Sequence, residues 1–269
     1  MSIKSKLFNL FFKLIKGIGY ERIFLQKLRG KINSSPYNIL PKFFCKEAEL
    51  KFLDVGANRG QTIDVIIDIF PNSKIFSFEP TPGLSNELKK KYYDKKNLFI
   101  YDCAIGDFSG RIKFYTSEFS PTNSSLKPEI DLYKNFNSPR VHDFEKLIEI
   151  EVPIITLNEW FKNENLINEI DVLKIDTQGT EYNVLKGALD ILSTKIKIVV
   201  FEGQFLSFYK DSVPFYKTIE LLYENNFYLL DIFGYNYNNI QMIECDFVFI
   251  NSNFYNIEAI NMIKQEGVI

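Results

Sequence analysis

With 269 residues, 46% hydrophobic and 25% charged, the chain is long enough for one large α/β domain, or a domain with a small appendage. A net charge of -2 argues against a dedicated nucleic-acid binder, which would carry a basic excess. Three scattered cysteines (Cys45, Cys103, Cys245) and the single His142 leave no disulfide framework and no zinc pairing; the expected setting is the reducing cytoplasm.

Residues 1–31 carry eight Lys or Arg against one acid, Glu21. Leu7, Phe8, Phe11, Leu14 and Ile15 recur among them at helical spacing, which predicts a basic amphipathic helix. Lys13 and Lys16 break the apolar run, so it is too short and too charged to span a bilayer. Such a helix either lies on an anionic membrane, at the inner face, or packs its apolar side on the domain. Residues 1–46 are read as this segment and its linker, and residues 47–269 as the domain.

The domain begins with a short apolar strand, Phe52, Leu53 and Val55, that runs into a turn with Gly56 and Gly60. A helix opens at Gln61 and Thr62. Glycines let the backbone pass close under a ligand, and the amides of a helix start favour a negative group. The dinucleotide fingerprint G-x-G-x-x-G fails here, because Asn58 holds its middle position and Gln61 its last. No Lys stands where a phosphate loop requires one. What remains, Asp54-x-Gly56-x-Asn58-x-Gly60, resembles the first motif of class I S-adenosylmethionine (SAM) methyltransferases, with Ala57 inside the turn.

A second strand over 74–78 ends in Glu79 and Pro80, 19 residues beyond Gly60. In nucleoside-binding α/β folds a carboxylate there accepts hydrogen bonds from ribose hydroxyls. A helix over 82–93 follows, then a third strand over 97–106 whose Cys103 and Ala104 would border the adenine. Strand, helix, strand, helix, strand with short links implies a parallel sheet with right-handed crossovers. Residues 111–116 read as a strand leaving that sheet. The Ser-, Asn- and Pro-rich stretch 120–140 reads as a lid or recognition loop, with His142 just past it. Residues 151–155 are extended, and Thr156 with Glu159 fits a helix N-cap.

A fourth strand, carrying Val172, Leu173 and Ile175, ends in Asp176. By topology it lies beside the first, so Asp176 faces the crevice above the glycine turn. A helix from Glu181 shows Val184, Leu185, Ala188, Leu189 and Leu192 on one face. A fifth strand over 196–202 ends in Glu202, a helix covers 215–225, and strands over 227–233 and 246–250 form an antiparallel final pair.

These residues together resemble the FkbM family of SAM-dependent methyltransferases over about 51–251. The anchors are 52–60, Phe78-Glu79-Pro80, and Leu173-Lys174-Ile175-Asp176 with Gly179 and Glu181, followed by 184–187. Ser124, Ser125 and Leu126 match a family segment in the long loop. One position departs: the family's usual acid before Gly179 is Gln178 here.

The resemblance implies a Rossmann-like class I fold, a mostly parallel seven-stranded sheet with an antiparallel final strand. It implies O-methylation of a sugar or glycan precursor in polysaccharide biosynthesis, or alternatively of a secondary metabolite. A nucleotide-binding module and an NAD-dependent oxidoreductase are the rivals from other classes. Asp54, Gly56, Ala57, Asn58, Gly60, Gln61, Thr62, Glu79, Pro80, Cys103, Ala104 and Asp176 are the expected SAM contacts. Asp176 is the first candidate for the group that takes the hydroxyl proton, with His142 its rival. Ser125, Gln178, Glu181 and Glu202 are expected on the acceptor side. Mg²⁺ is left open and no metal site is assigned, although Asp176 and Glu202 could supply oxygen ligands.

Overall fold

The computed structural model describes residues 35–117, 120–135, 144, 146–238 and 241–257. The predicted basic helix of residues 1–31 and His142 lie outside them. Among the described residues no helix is long and apolar enough to cross a membrane.

Seven strands make the main sheet: β1 (Lys51–Val55), β2 (Lys74–Phe78), β3 (Leu98–Tyr101), β7 (Ile170–Ile175), β8 (Ile196–Gln204), β9 (Phe227–Asn238) and β10 (Gln241–Asn251). Their order is β3-β2-β1-β7-β8-β10-β9. The pairs up to β8 are parallel, and β10 runs antiparallel to both neighbours. The expected sheet is therefore present, with the fourth predicted strand, β7, directly beside the first. All six residues of β7 are buried, as a central parallel strand covered on both faces must be.

Alternation along the strands divides the core. Leu53, Val55, Phe76, Phe78, Leu173, Ile175, Val199 and Phe201 point to one face. There they meet α4 (Leu157–Asn163), α5 (Glu181–Lys186), α6 (Leu189–Lys195) and α7 (Phe215–Glu224). Phe52, Ile75, Val172, Ile198 and Val200 point to the other, toward α1 (Gln61–Ile69) and α2 (Pro82–Lys91). The short α3 (Ile130–Asn135) packs apart from both, against Phe208 and Tyr209. The stretch read as a linker contributes here too. Pro36–Lys42 is a 3-10 helix whose Tyr37, Ile39 and Leu40 are buried in this second half of the core.

The structure departs from the sequence reading in three places. The predicted third strand ends at Tyr101; Ala104–Ile105 (β4) joins a separate sheet with β5 (Gly110–Thr116) and β6 (Ile148–Ile155), in the order β4-β6-β5. Residues 111–116, read as a strand leaving the main sheet, and 151–155, read as extended, are the antiparallel partners within it. The single helix expected beyond Glu181 is two helices, split at Gly187. A Cβ at Gly187 would overlap the carbonyl oxygen of Gly106, so the chain approaches that loop closer than any side chain permits. The Gly187 carbonyl then accepts from the Asn158 amide at 2.9 Å, which fastens α4 to the same corner. Thr156 caps α4 as its spacing predicts, its hydroxyl accepting from the Glu159 amide at 3.1 Å.

Candidate functional site

The carboxyl ends of β1, β2, β7 and β8 open into a cleft of about 420 Å³, a size typical of small-molecule sites. Its floor is the turn after β1. Gly56 and Gly60 both have φ of 83°, and Asn58 has φ of 48°. A Cβ at Gly56 would overlap the Asp176 carbonyl oxygen, so only glycine lets the first and fourth strand ends meet. Gly60 opens α1 with no side-chain cap, which leaves the amides of the first turn free for an anionic group. Tyr37 braces this helix start from below, its hydroxyl 3.3 Å from the Thr62 hydroxyl.

Glu79 stands at the end of β2, only 4% exposed. One carboxylate oxygen accepts from the Asn58 amide at 2.9 Å and the other from the Thr81 amide at 2.8 Å. Burial pushes its pKa up, and those amides pull the other way. The side chain is thus a fixed acceptor, with the Thr81 side chain as a third partner.

A buried ion pair ties the two central strands together beneath the turn. Lys174 on β7 faces Asp54 on β1 in register, with Nζ 3.0 Å from Oδ1 and both side chains almost fully buried. Nζ also donates to the Gly56 carbonyl at 2.6 Å. Burial lowers the Lys174 pKa, but Asp54 and Asp176 more than offset this and hold the ammonium charged. The sequence reading gave Lys174 no role beyond its place in the motif. Its signal is a cation inside a fully buried strand, which demands a partner on the neighbouring strand.

Asp176 lies at the mouth of β7 with 41% of its side chain exposed to the cleft. Its Oδ2 is 3.8 Å from Lys174 Nζ, and its Oδ1 accepts from Gln178 Nε2 at 3.0 Å. The same nitrogen donates to Glu202 Oε2 at 2.9 Å. Burial and the carboxylates of Asp176, Glu244, Asp246 and Glu181 push Glu202 well above the usual range. Burial and Asp176 push Asp246 up to about 7.

The segment 120–126 closes the cleft from the side, with Pro121, Asn123, Ser125 and Leu126 in its wall. It is anchored at both ends of the opening. Ser124 Oγ donates to the Gln178 carbonyl at 2.8 Å, and Asn123 Nδ2 reaches Thr81 Oγ1 at 3.4 Å. Phe108 from the loop between β4 and β5, with Ile112, Phe114 and Ile154 of the second sheet, builds an apolar wall beside Cys103 and Ala104. Asp107 also lines the cleft. It is partly buried, yet Lys186 and Asn183 hold its pKa below the ordinary value. Phe108, Ile112, Phe114 and Ile154 were not read as cleft residues from the sequence, because β5 and β6 pair across a long stretch of chain.

Gly56, Ala57, Asn58, Gln61, Thr62, Glu79, Pro80, Cys103, Ala104, Ser125, Asp176, Gln178 and Glu202 all line this one cleft. Asp54, Gly60 and Glu181 stand behind its wall instead. Asp54 serves Lys174, and Gly60 packs against Tyr92, whose hydroxyl donates to the Gly60 carbonyl at 3.0 Å. Glu181 turns inward and accepts from the amides of Thr177 at 3.0 Å and Gly179 at 3.2 Å. It pins the turn that presents Gln178.

Comparison with known proteins agrees with this geometry. A family model for the methyltransferase FkbM domain matches residues 54–230. The 2-O-methyltransferase NoeI of Sinorhizobium fredii is 26% identical over 175 residues, covering 63% of this chain and 70% of that protein. The methyltransferase sdnD of Sordaria araneosa is 27% identical over 158 residues, covering 50% of this chain and 59% of that one. The crystal structure of the methyltransferase FkbM from Methylobacillus flagellatus KT aligns with a TM-score of 0.47 at 15% identity, covering 76% of this chain and 44% of that one. This chain therefore spans less than two thirds of the fungal relative and less than half of that solved chain. The family match takes in well over half of the sequence and includes the glycine turn, Glu79, Asp176 and Gln178. The chain belongs to the FkbM family of SAM-dependent methyltransferases.

Proposed function

We propose that the chain methylates a hydroxyl of an uncharged, hydroxyl-rich acceptor, a sugar or glycan precursor of polysaccharide biosynthesis. The observation that carries this reading is Asp176, an exposed strand-end carboxylate that shares one cleft with the glycine turn and with Glu79. The relative NoeI, named a 2-O-methyltransferase, supports transfer to oxygen.

The residues of the cleft fit the cofactor. Glu79, fixed by two amides and the Thr81 side chain, keeps acceptor capacity for a ribose hydroxyl. Cys103, Ala104, Phe108 and Ile154 offer an adenine-sized apolar surface, and the turn 56–58 leaves room for the methionine portion. When bound, SAM supplies a methyl group already activated on a sulfonium. The protein then has two tasks, to align the acceptor oxygen and to accept its proton. Asp176 takes that proton, while Ser125, Asn123 and Glu202 hold neighbouring hydroxyls.

The charge of the walls supports an uncharged acceptor. Glu79, Asp107, Asp176, Glu202 and Glu244 line the cleft, and Lys174 is the only Lys or Arg among the described lining residues. That ammonium is already engaged with Asp54 and Gly56. A phosphate beside the reacting hydroxyl would meet carboxylates with no free cation.

The test is calorimetry with SAM and with NADH, followed by methyl transfer from labelled SAM to a pool of neutral oligosaccharides. SAM binding and alkali-stable methyl ethers are expected. Binding of NADH but not SAM, or label in alkali-labile esters, would overturn the reading.

The cofactor placement is tested separately by Glu79→Ala. Loss of the charge-assisted hydrogen bonds should weaken SAM by about 1.5–3 kcal/mol, roughly 10- to 150-fold. Unchanged affinity in a variant with native melting behaviour would remove Glu79 from the ribose site.

A further inference from the structure

Gln178 sits between two carboxylates on a side chain whose aim is unusually well determined. Its backbone has φ of 57°, in the left-handed region. Glu181 pins the turn from below through Thr177 and Gly179, and Ser124 Oγ donates to the Gln178 carbonyl at 2.8 Å. The amide orientation is set by its partners. Oε1 accepts from Gln204 Nε2 at 3.3 Å and lies 3.0 Å from Tyr209 Oη, whose one proton is shared with the Thr122 carbonyl at 3.1 Å. A flip would turn that oxygen against Asp176 and Glu202. Nε2 therefore gives one proton to Asp176 Oδ1 at 3.0 Å and the other to Glu202 Oε2 at 2.9 Å.

No other cation is available to this pair among the described residues. The nearest, Lys174 Nζ, is 3.8 Å from Asp176 and already bound to Asp54 and Gly56. The largest charge effects on Glu202 come from acids. The Gln178 amide hydrogens are the partial positive charge that bridges the two carboxylates, and Gln204 Nε2 adds a further donor to Glu202 Oε2 at 3.2 Å.

We propose that the Gln178 carboxamide occupies the place of a cation between Asp176 and Glu202, so that this cleft operates without a divalent metal. Gln178 is a positioning residue: it holds Asp176 Oδ1 and leaves the other oxygen toward the cleft. A corollary follows from the same distances. Glu in this position would bring a third carboxylate within about 3 Å of both others. Three such oxygens, with water completing the shell, make a Mg²⁺- or Mn²⁺-type donor set. Gln178→Glu should therefore convert the amide bridge into a cation site.

Direct Mn²⁺ binding, read by electron paramagnetic resonance on the full-length chain, tests this without any acceptor. The wild type is expected to take up no Mn²⁺ that Asp176→Asn abolishes. Gln178→Glu is expected to bind one Mn²⁺ per chain, roughly tenfold tighter or more than the wild type, and to lose it when Asp176→Asn is added. A wild-type Mn²⁺ site that depends on Asp176 would overturn the proposal. So would a folded Gln178→Glu variant with no gain in binding. The wild-type titration decides the first point even if the variant fails to fold.

A second arm rests on the methyltransferase reading. Wild-type turnover should be indifferent to EDTA, and Gln178→Glu turnover should rise on adding Mg²⁺. Loss of wild-type turnover on chelation would overturn metal independence. Absence of any methyl transfer would instead count against the proposed function and leave the Mn²⁺ titration standing.

Discussion

Replacing Lys174 by methionine should cost about 3–5 kcal/mol of folding stability, a large part of what a domain of this kind possesses. The side chain is 7% exposed, and its partner Asp54 is fully buried. With the ammonium gone, Asp54 keeps a desolvated charge or takes up a proton, because burial pushes its pKa up and Lys174 is what pulls it down. The Gly56 carbonyl also loses a donor at 2.6 Å. Urea unfolding would show a lower midpoint at unchanged slope.

Adding Asp54→Asn to the same variant should recover more than half of the loss, because it removes the stranded charge. What remains lost is the bond to Gly56 and the anchoring of the turn. That part should appear as weaker SAM binding even in the recovered double variant. A single variant that loses less than about 1 kcal/mol would mean that water reaches the pair and that the strands hold without it.

The Lys174–Asp54 pair also marks where the sequence was legible and where it was not. The glycine turn, Glu79 and Asp176 could be read because each follows a short apolar run, and strand order alone brings the ends of β1, β2 and β7 together. Lys174 was read only as part of the motif ending in Asp176, because an apolar pattern is judged by its majority, and two charges in six residues, Asp171 and Lys174, do not disturb it. The second sheet was invisible for a different reason. The pairing of β5 with β6 joins residues about 40 positions apart across a polar segment, and no local periodicity records such a contact. Gly187 was read as one member of a continuous helix, since the contact that splits it is with the distant Gly106 loop. Glu181 was expected on the acceptor side. The hydrogen bonds that turn it inward come from its own turn, and only coordinates reveal their direction.

Asp176→Asn should leave the protein folded and lower the rate of methyl transfer by about 10²- to 10⁴-fold, the usual worth of a positioned general base. The fold should survive because the side chain is 41% exposed and its one short hydrogen bond, from Gln178, can still find an oxygen on the new amide. SAM affinity should fall far less than the rate, since Glu79 and the turn 56–58 remain in place. Single-turnover kinetics with labelled SAM would separate the two effects. A loss confined to the acceptor KM would make Asp176 a binding residue and leave the proton to solvent. A wild-type rate would remove the carboxylate from the chemistry altogether and move the search for a base to His142. Restored turnover at higher pH in the variant would distinguish the remaining cases. An alcohol whose proton must leave unaided reacts faster as hydroxide rises, whereas the wild type, with a carboxylate in place to accept that proton, should depend far less on pH.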